Sequence, residues 1–187
     1  MGKLFVSSYQ VFPVLGQPNM EAFARVVVSD QVQLTGIKIM SCNSVRTVVY
    51  PEIQPGVDYF TLMPGVLRDT ANKLLLGTHG VSLPSKNPKA TALKITDMRV
   101  ERLAKPSGKT QAFVSCVLEG QIVLRGMRVV LGVNGLFLAH PNDPGYRGED
   151  YRSLYYPLTR ELRDAIETRA LAMYSNEYTG DDSYNSN

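Results

Sequence analysis

Met127-Arg128-Val129-Val130-Leu131-Gly132-Val133-Asn134-Gly135-Leu136-Phe137-Leu138-Ala139-His140-Pro141 is the stretch that decides the fold. Two runs rich in β-branched and large apolar residues flank Asn134-Gly135. Asn-Gly is a strong hairpin signal, because both residues tolerate positive φ. Pro141 lacks an amide donor and ends the second run. Upstream, residues 110–118 alternate, with Ala112, Val114, Cys116 and Leu118 on one face and Gln111 and Ser115 on the other, the period of a half-buried strand. Glu119-Gly120 turns the chain into a third strand at 121–131. A further strand at 96–103 precedes a turn at 105–109 that holds Pro106 and Gly108. Downstream, residues 141–150 form a polar loop and 151–156 a short fifth strand. Thr159 then caps a helix whose Leu162, Ile166, Arg169 and Met173 fall at helical spacing. The expected fold class is α+β, an antiparallel β-meander closed by one helix.

The same order recurs earlier in the chain. At an offset of 90, Ala22-Phe23-Ala24 matches Ala112-Phe113-Val114, Gly36-Ile37-Lys38-Ile39 matches Gly126-Met127-Arg128-Val129, and Tyr50-Pro51 matches His140-Pro141. An offset of 89 brings Val6, Tyr9, Val11 and Val14 onto Ile95, Met98, Val100 and Leu103. An offset of 95 brings Leu67-Arg68-Asp69 onto Leu162-Arg163-Asp164. The first copy has no glycine in its Asn43-Ser44-Val45 turn, and its helix, near 65–76, is shorter. Two tandem domains are expected, at 1–83 and 94–174. Between them lies a Pro-containing linker at 84–93, and an acidic, disordered tail follows at 175–187. A short tether would hold the two copies at high effective concentration as an intramolecular pseudo-dimer; further homo-oligomers stay open.

Composition sets limits on function. The chain has 187 residues, 44% of them hydrophobic, enough for packed cores. No apolar run reaches the roughly 18 residues of a membrane helix, and Met1–Ser8 turns polar too early for a signal peptide, so a cytoplasmic protein without membrane contact is expected. The two cysteines, Cys42 and Cys116, do not make a disulfide framework. His79 and His140 have no Cys or His at metal-ligand spacing, so no metal site is expected. Net charge is +3. The tail carries Glu177, Asp181 and Asp182 with no Lys or Arg, which leaves residues 1–174 at +6. This is mildly basic, short of a polybasic nucleic-acid protein.

Ile95-Thr96-Asp97-Met98-Arg99-Val100, Met127-Arg128-Val129-Val130, Asn134-Gly135-Leu136-Phe137-Leu138-Ala139-His140-Pro141, then Tyr151-Arg152, Pro157 and the closing helix together resemble a domain of the SpoVG (stage V sporulation protein G, septation regulator) family. The resemblance covers about 80 residues of the second copy. The first copy keeps the order but not the Asn-Gly-Leu-Phe block. The resemblance implies a small α+β domain, usually dimeric, that acts in bacterial regulation by binding DNA or RNA without enzymatic activity. Family members typically carry adjacent basic residues after the strand-ending proline. This chain has Asn142-Asp143-Pro144-Gly145 there, with only Arg147 and Arg152 nearby.

Catalysis is not indicated. No Gly-x-Ser-x-Gly nucleophile context occurs, and no Gly-rich loop leads from a strand into a helix, so no cofactor is expected. His140 reads as a base or as a strand-end packing residue; Tyr50 at the matching position favours packing. Phosphate contacts are expected from Arg128, Arg147, Arg152, Arg160 and Arg163, together with the first-copy equivalents Lys38 and Arg68. Such contacts position a nucleic acid without reading its sequence. For the helix arginines the alternative is local pairing with Glu161 and Asp164. Tyr146, Tyr151, Tyr155 and Tyr156 could stack on unpaired bases; for Tyr155 and Tyr156 the alternative is to join the core or the seam between the copies. The acidic tail could compete with nucleic acid for a basic groove or serve only as a solubilising end. A rival reading makes the chain a protein-interaction module with protein partners and no nucleic-acid role.

Overall fold

The computed structural model describes residues 4–77, 92–143 and 153–176. The first half runs β1 (Val6–Pro13), β2 (Met20–Val28), β3 (Val32–Cys42), β4 (Val45–Val49), a small hairpin of β5 (Glu52–Gln54) and β6 (Val57–Asp58), β7 (Phe60–Leu62) and α1 (Val66–Gly77). The second runs β8 (Ile95–Ser107), β9 (Thr110–Leu118), β10 (Ile122–Gly132), β11 (Gly135–Ala139), β12 (Tyr155–Pro157) and α2 (Arg160–Asn176). All strand pairings are antiparallel, so the fold class is α+β, as expected. Among the described residues, no helix is long and apolar enough to cross a membrane.

Each half builds a meander, and each meander is completed by a strand from the other half. In the first sheet β3 pairs with β2 along one edge; along the other it pairs with β4 and with β12 of the second half. In the second sheet β10 pairs with β9 along one edge; along the other it pairs with β11 and with β7 of the first half. Tyr155, Tyr156 and Pro157 lie opposite Leu34, Gln33 and Val32. Phe60, Thr61 and Leu62 lie opposite Leu124, Val123 and Ile122. The exchange is reciprocal and in matching register.

A glycine bulge sits between the two neighbours on each long strand. Gly36 (φ +74°) and Gly126 (φ +79°) fall where β3 and β10 slip register against β2 and β9, and such a bulge bends a strand and increases its twist. Beside it, the amide of Thr35 donates to the Leu154 carbonyl at 2.7 Å, and that of Arg125 donates to the Tyr59 carbonyl at 2.7 Å. The hairpin ends match as well. Ser7 Oγ accepts from the Asp30 amide (2.8 Å) and donates to the Val27 carbonyl (3.1 Å). Thr96 Oγ1 does the same for the Gly120 amide (3.0 Å) and the Val117 carbonyl (3.1 Å). One hydroxyl on the first strand thus holds a turn whose residues sit at positive φ in both halves.

The Asn134-Gly135 hairpin is one residue out of place relative to its sequence reading. Gly132 pairs with Gly135, which leaves Val133-Asn134 as the loop and puts Gly135 (φ +111°) at the start of β11. Thr159 caps α2 as expected, its Oγ1 accepting from the Leu162 amide at 3.3 Å. Leu162, Ile166 and Ala170 bury one stripe of α2, and Leu67, Ala71 and Leu75 bury the equivalent stripe of α1, each spaced one helical turn apart. Cys116 is buried and Cys42 exposed. Of the expected linker only Ala92 and Leu93 are described, and His79 and the acidic end beyond Asn176 lie outside the described residues.

Candidate nucleic-acid interface

A ladder of rings crosses from one half to the other. Tyr50 meets Phe60 edge-on with centroids 5.7 Å apart, Phe60 meets Tyr155 at 6.5 Å, and Tyr155 meets His140 at 5.9 Å. At the repeat's own offsets Tyr50 matches His140 and Phe60 matches Tyr155, so Phe60 and Tyr155 meet at the centre of the ladder. The Tyr155 hydroxyl donates to the Arg125 carbonyl at 2.7 Å. Burial raises its pKa well above 10 and keeps it a donor. Tyr155 therefore fills the seam and offers no face to a base. His140 is enclosed by Tyr155 and Tyr156, and burial lowers its pKa while Glu167 opposes the shift. That environment fits the packing role suggested by Tyr50.

On the outer face of the second sheet lies a cleft of about 780 Å³. Its floor is the solvent-side row of β8, β9 and β10. Glu101 is opposite Phe113 and Phe113 is opposite Arg128, while Arg99 is opposite Ser115 in the next row. Its other wall belongs to the first half: Ile53, Gln54, Val57 and Tyr59, from the β5–β6 hairpin and the residue after it. Arg125 ties the two walls together, its Nη1 donating to Thr61 Oγ1 at 2.9 Å and to the Asp58 carbonyl at 3.4 Å. Arg99 pairs with the exposed Asp97 carboxylate at 3.8 Å, a pairing worth little in water. The Arg128 side chain makes no hydrogen bond or ion pair among the described residues.

The expected contact residues do not form one patch. Arg128 is in the cleft. Lys38 is exposed at the equivalent position of the first sheet. Arg68 is half-buried with its guanidinium 5.7 Å from the Tyr50 ring centre. Arg160 pairs with Asp164 at 3.2 Å, and Arg163 donates to the Tyr156 hydroxyl at 3.1 Å and lies 3.8 Å from Asp164. Local pairing thus accounts for part of the helix arginines. Arg147 and Arg152, with Tyr146 and Tyr151, lie outside the described residues. Arg102 and Arg169 are engaged in packing α2. The Arg102 guanidinium sits 4.0 Å over the Tyr174 ring and donates to the Tyr174 carbonyl, and Arg169 donates to the Ile95 carbonyl at 3.0 Å. Among the described residues no group of three or more His, Cys, Asp or Glu could hold a metal ion.

Comparison with known proteins adds the lineage. The sequence model of SpoVG matches residues 93–176. Over 82 residues, 44% of this chain, it is 35% identical to the Lachnospira eligens protein and 38% identical to the Lachnoclostridium phytofermentans protein. Those alignments take in 91% and 86% of the two relatives, which bear the name septation protein SpoVG. The chain belongs to the SpoVG family. A Symbiobacterium thermophilum protein of the same name is 37% identical over 82 residues, 57% of its length. The SpoVG match begins two residues before β8 and ends with α2, so it takes in the cleft floor and the strand lent to the first sheet. The cleft's other wall, residues 53–59, lies outside it.

The sequence reading missed that wall. Phe113 was open to notice, since it stands out of phase with Ala112, Val114 and Cys116 and so points a large ring to solvent. Nothing in the sequence placed the β5–β6 hairpin across from it.

Proposed function

We propose that this protein is a cytoplasmic, non-enzymatic regulator of SpoVG type that binds DNA or RNA through arginines of its second half. In this reading the chain is an intramolecular pseudo-dimer of a diverged domain at 1–83 and a SpoVG domain at 94–174, joined by 84–93. Arg99 and Arg128 on one open wall carry the nucleic-acid reading: two cations, with the carboxylates of Asp97 and Glu101 nearby, on the floor of a cleft of about 780 Å³. In this reading Arg147, Arg152, Arg160 and Arg163, with Lys38 and Arg68 as the first-half counterparts, make further phosphate contacts apart from the cleft. Titration of duplex DNA and of RNA at three salt concentrations tests it. About 3–5 phosphate contacts correspond to a log–log salt slope of about −3 to −4.5 on duplex. Replacing Arg147, Arg152 and Arg163 together by Ala is expected to weaken binding to every sequence and flatten that slope.

The reciprocal strand exchange supports the pseudo-dimer reading. With a protease site placed within residues 84–91, the cleaved halves are expected to stay together through gel filtration and separate only in denaturant. Separation without denaturant would refute it. One feature favours the interaction-module reading: Val133 at the tip of the β10–β11 hairpin and Leu131 and Phe137 on its two faces are all exposed apolar side chains. Absence of binding to DNA and RNA at low salt would put that reading first.

A further inference from the structure

The cleft on the second sheet has the chemistry of a site for one unpaired nucleotide, and we propose that it takes a base and its phosphate from a single strand. This rests on the nucleic-acid reading and narrows it to strands with exposed bases. Phe113 is 44% exposed although it stands mid-strand in the middle of a sheet. Its cross-strand neighbours are Glu101 on one side and Arg128 on the other, so no apolar side chain on the flanking strands covers it directly.

The first sheet shows that this arrangement is not a requirement of the meander. Its equivalent row is Phe12, Phe23 and Lys38 in the same register. There the ring at Phe23 has Phe12 as neighbour, and Arg25 lies 5.6 Å from the Phe12 ring centre. In the second sheet those partners become Glu101 and Ser115, which leaves the ring open. At the same time Gln10, Thr35 and Lys38 of the first sheet are replaced by Arg99, Arg125 and Arg128. In the first sheet Phe23 is half-buried beside Phe12, which is itself 37% exposed; in the second Phe113 is 44% exposed and lines a cleft together with Arg99, Arg125 and Arg128.

An exposed aromatic ring with Arg128 beside it and Arg99 in the next row suits a base stacked on the ring with its phosphate on Arg99 or Arg128. Ser115, Gln54, Asn142 and the Glu101 carboxylate supply donors and acceptors for a base edge. The volume falls in the range of roughly 300–1,000 Å³ that admits ligands of this size. In a duplex both faces of each base are already stacked, and the β5–β6 wall stands opposite the sheet, so a double helix has no base face to offer Phe113. A free mononucleotide has the same local chemistry, and the test separates the two sources.

The experiment is fluorescence anisotropy at fixed salt with a labelled single strand of about ten nucleotides, its duplex, and unlabelled AMP and UMP as competitors. The wild type, Phe113→Ala and Phe113→Tyr are compared. Phe113→Ala is expected to lose about 5- to 150-fold in affinity for the single strand, with duplex affinity and the salt slope unchanged. Phe113→Tyr keeps the ring and is expected to restore single-strand binding, which separates stacking from a folding defect. Equal loss on single strand and duplex, or no loss on either, overturns the inference. Wild-type binding to duplex alone overturns it and leaves the nucleic-acid reading standing; binding to neither overturns both. Competition by AMP or UMP at the oligonucleotide's own affinity overturns the strand source and assigns the cleft to a free nucleotide.

Discussion

Tyr155→Ala is expected to lower unfolding stability by about 3–5 kcal/mol, the range for removing a buried aromatic side chain. Tyr155 is completely buried, it stands between Phe60 and His140, and its hydroxyl satisfies the Arg125 carbonyl. Truncation opens a cavity where the two halves meet and removes the partner of that carbonyl. Tyr155→Phe keeps the ring and loses only the hydrogen bond, so about 1 kcal/mol is expected. Phe60, its counterpart, already lacks a hydroxyl. Tyr156→Ala, next along the strand but 38% exposed, should stay within about 1 kcal/mol. Urea denaturation monitored by circular dichroism measures all three. If Tyr155→Ala costs no more than Tyr156→Ala, the ladder does not hold the halves together.

The loss should also keep the transition cooperative. Tyr155 is carried on a strand of the first sheet while its hydroxyl bonds β10 of the second. A cavity there weakens both sheets at once, and a single shifted transition is expected rather than two. Typical domain stabilities are about 5–15 kcal/mol, so Tyr155→Ala spends a large share of the total.

Local chemistry made the meander legible. The alternation at Ala112, Val114, Cys116 and Leu118 and the Thr159 cap are satisfied within a few residues of where they are written. The exchange of β7 and β12 was not legible. Phe60-Thr61-Leu62 and Tyr155-Tyr156-Pro157 are three-residue strands, too short for their pattern to state which sheet they join. The repeat did carry a trace of it: the offset changes from 90 to 95 between Pro51/Pro141 and Leu67/Leu162, the stretch in which the chain crosses to the other sheet. Half of the cleft was legible for the same reason. Arg128 and Phe113 announce themselves on strands, whereas Gln54 and Tyr59 reach the cleft only through the crossing. Tyr155 stood between stacking and seam until its burial decided for the seam.

The crossing point itself is where a single methyl group should do the most damage. A Cβ at Gly36 would stand 2.8 Å from Leu154 Cδ2, and one at Gly126 would stand 3.0 Å from Cδ1 and Cε1 of Tyr59. Leu154 and Tyr59 are themselves equivalent, each the residue before the exchanged strand. Both glycines also sit at positive φ, which costs a residue with a Cβ about 1–2 kcal/mol. Gly56 separates the two effects, since it has φ +80° and open space around its Cβ position. Gly56→Ala is therefore expected to cost about 1–2 kcal/mol, from backbone alone. Gly36→Ala adds crowding against Leu154, which is buried and has little room to yield, so about 2–4 kcal/mol is expected. Gly126→Ala should fall between them, because Tyr59 lines the open cleft and its ring can swing into that space. Urea midpoints for the three variants give the order directly. Should Gly36→Ala match Gly56→Ala, the close approach of Leu154 to the bulge is absent, and with it the contact that seats β12 on the first sheet.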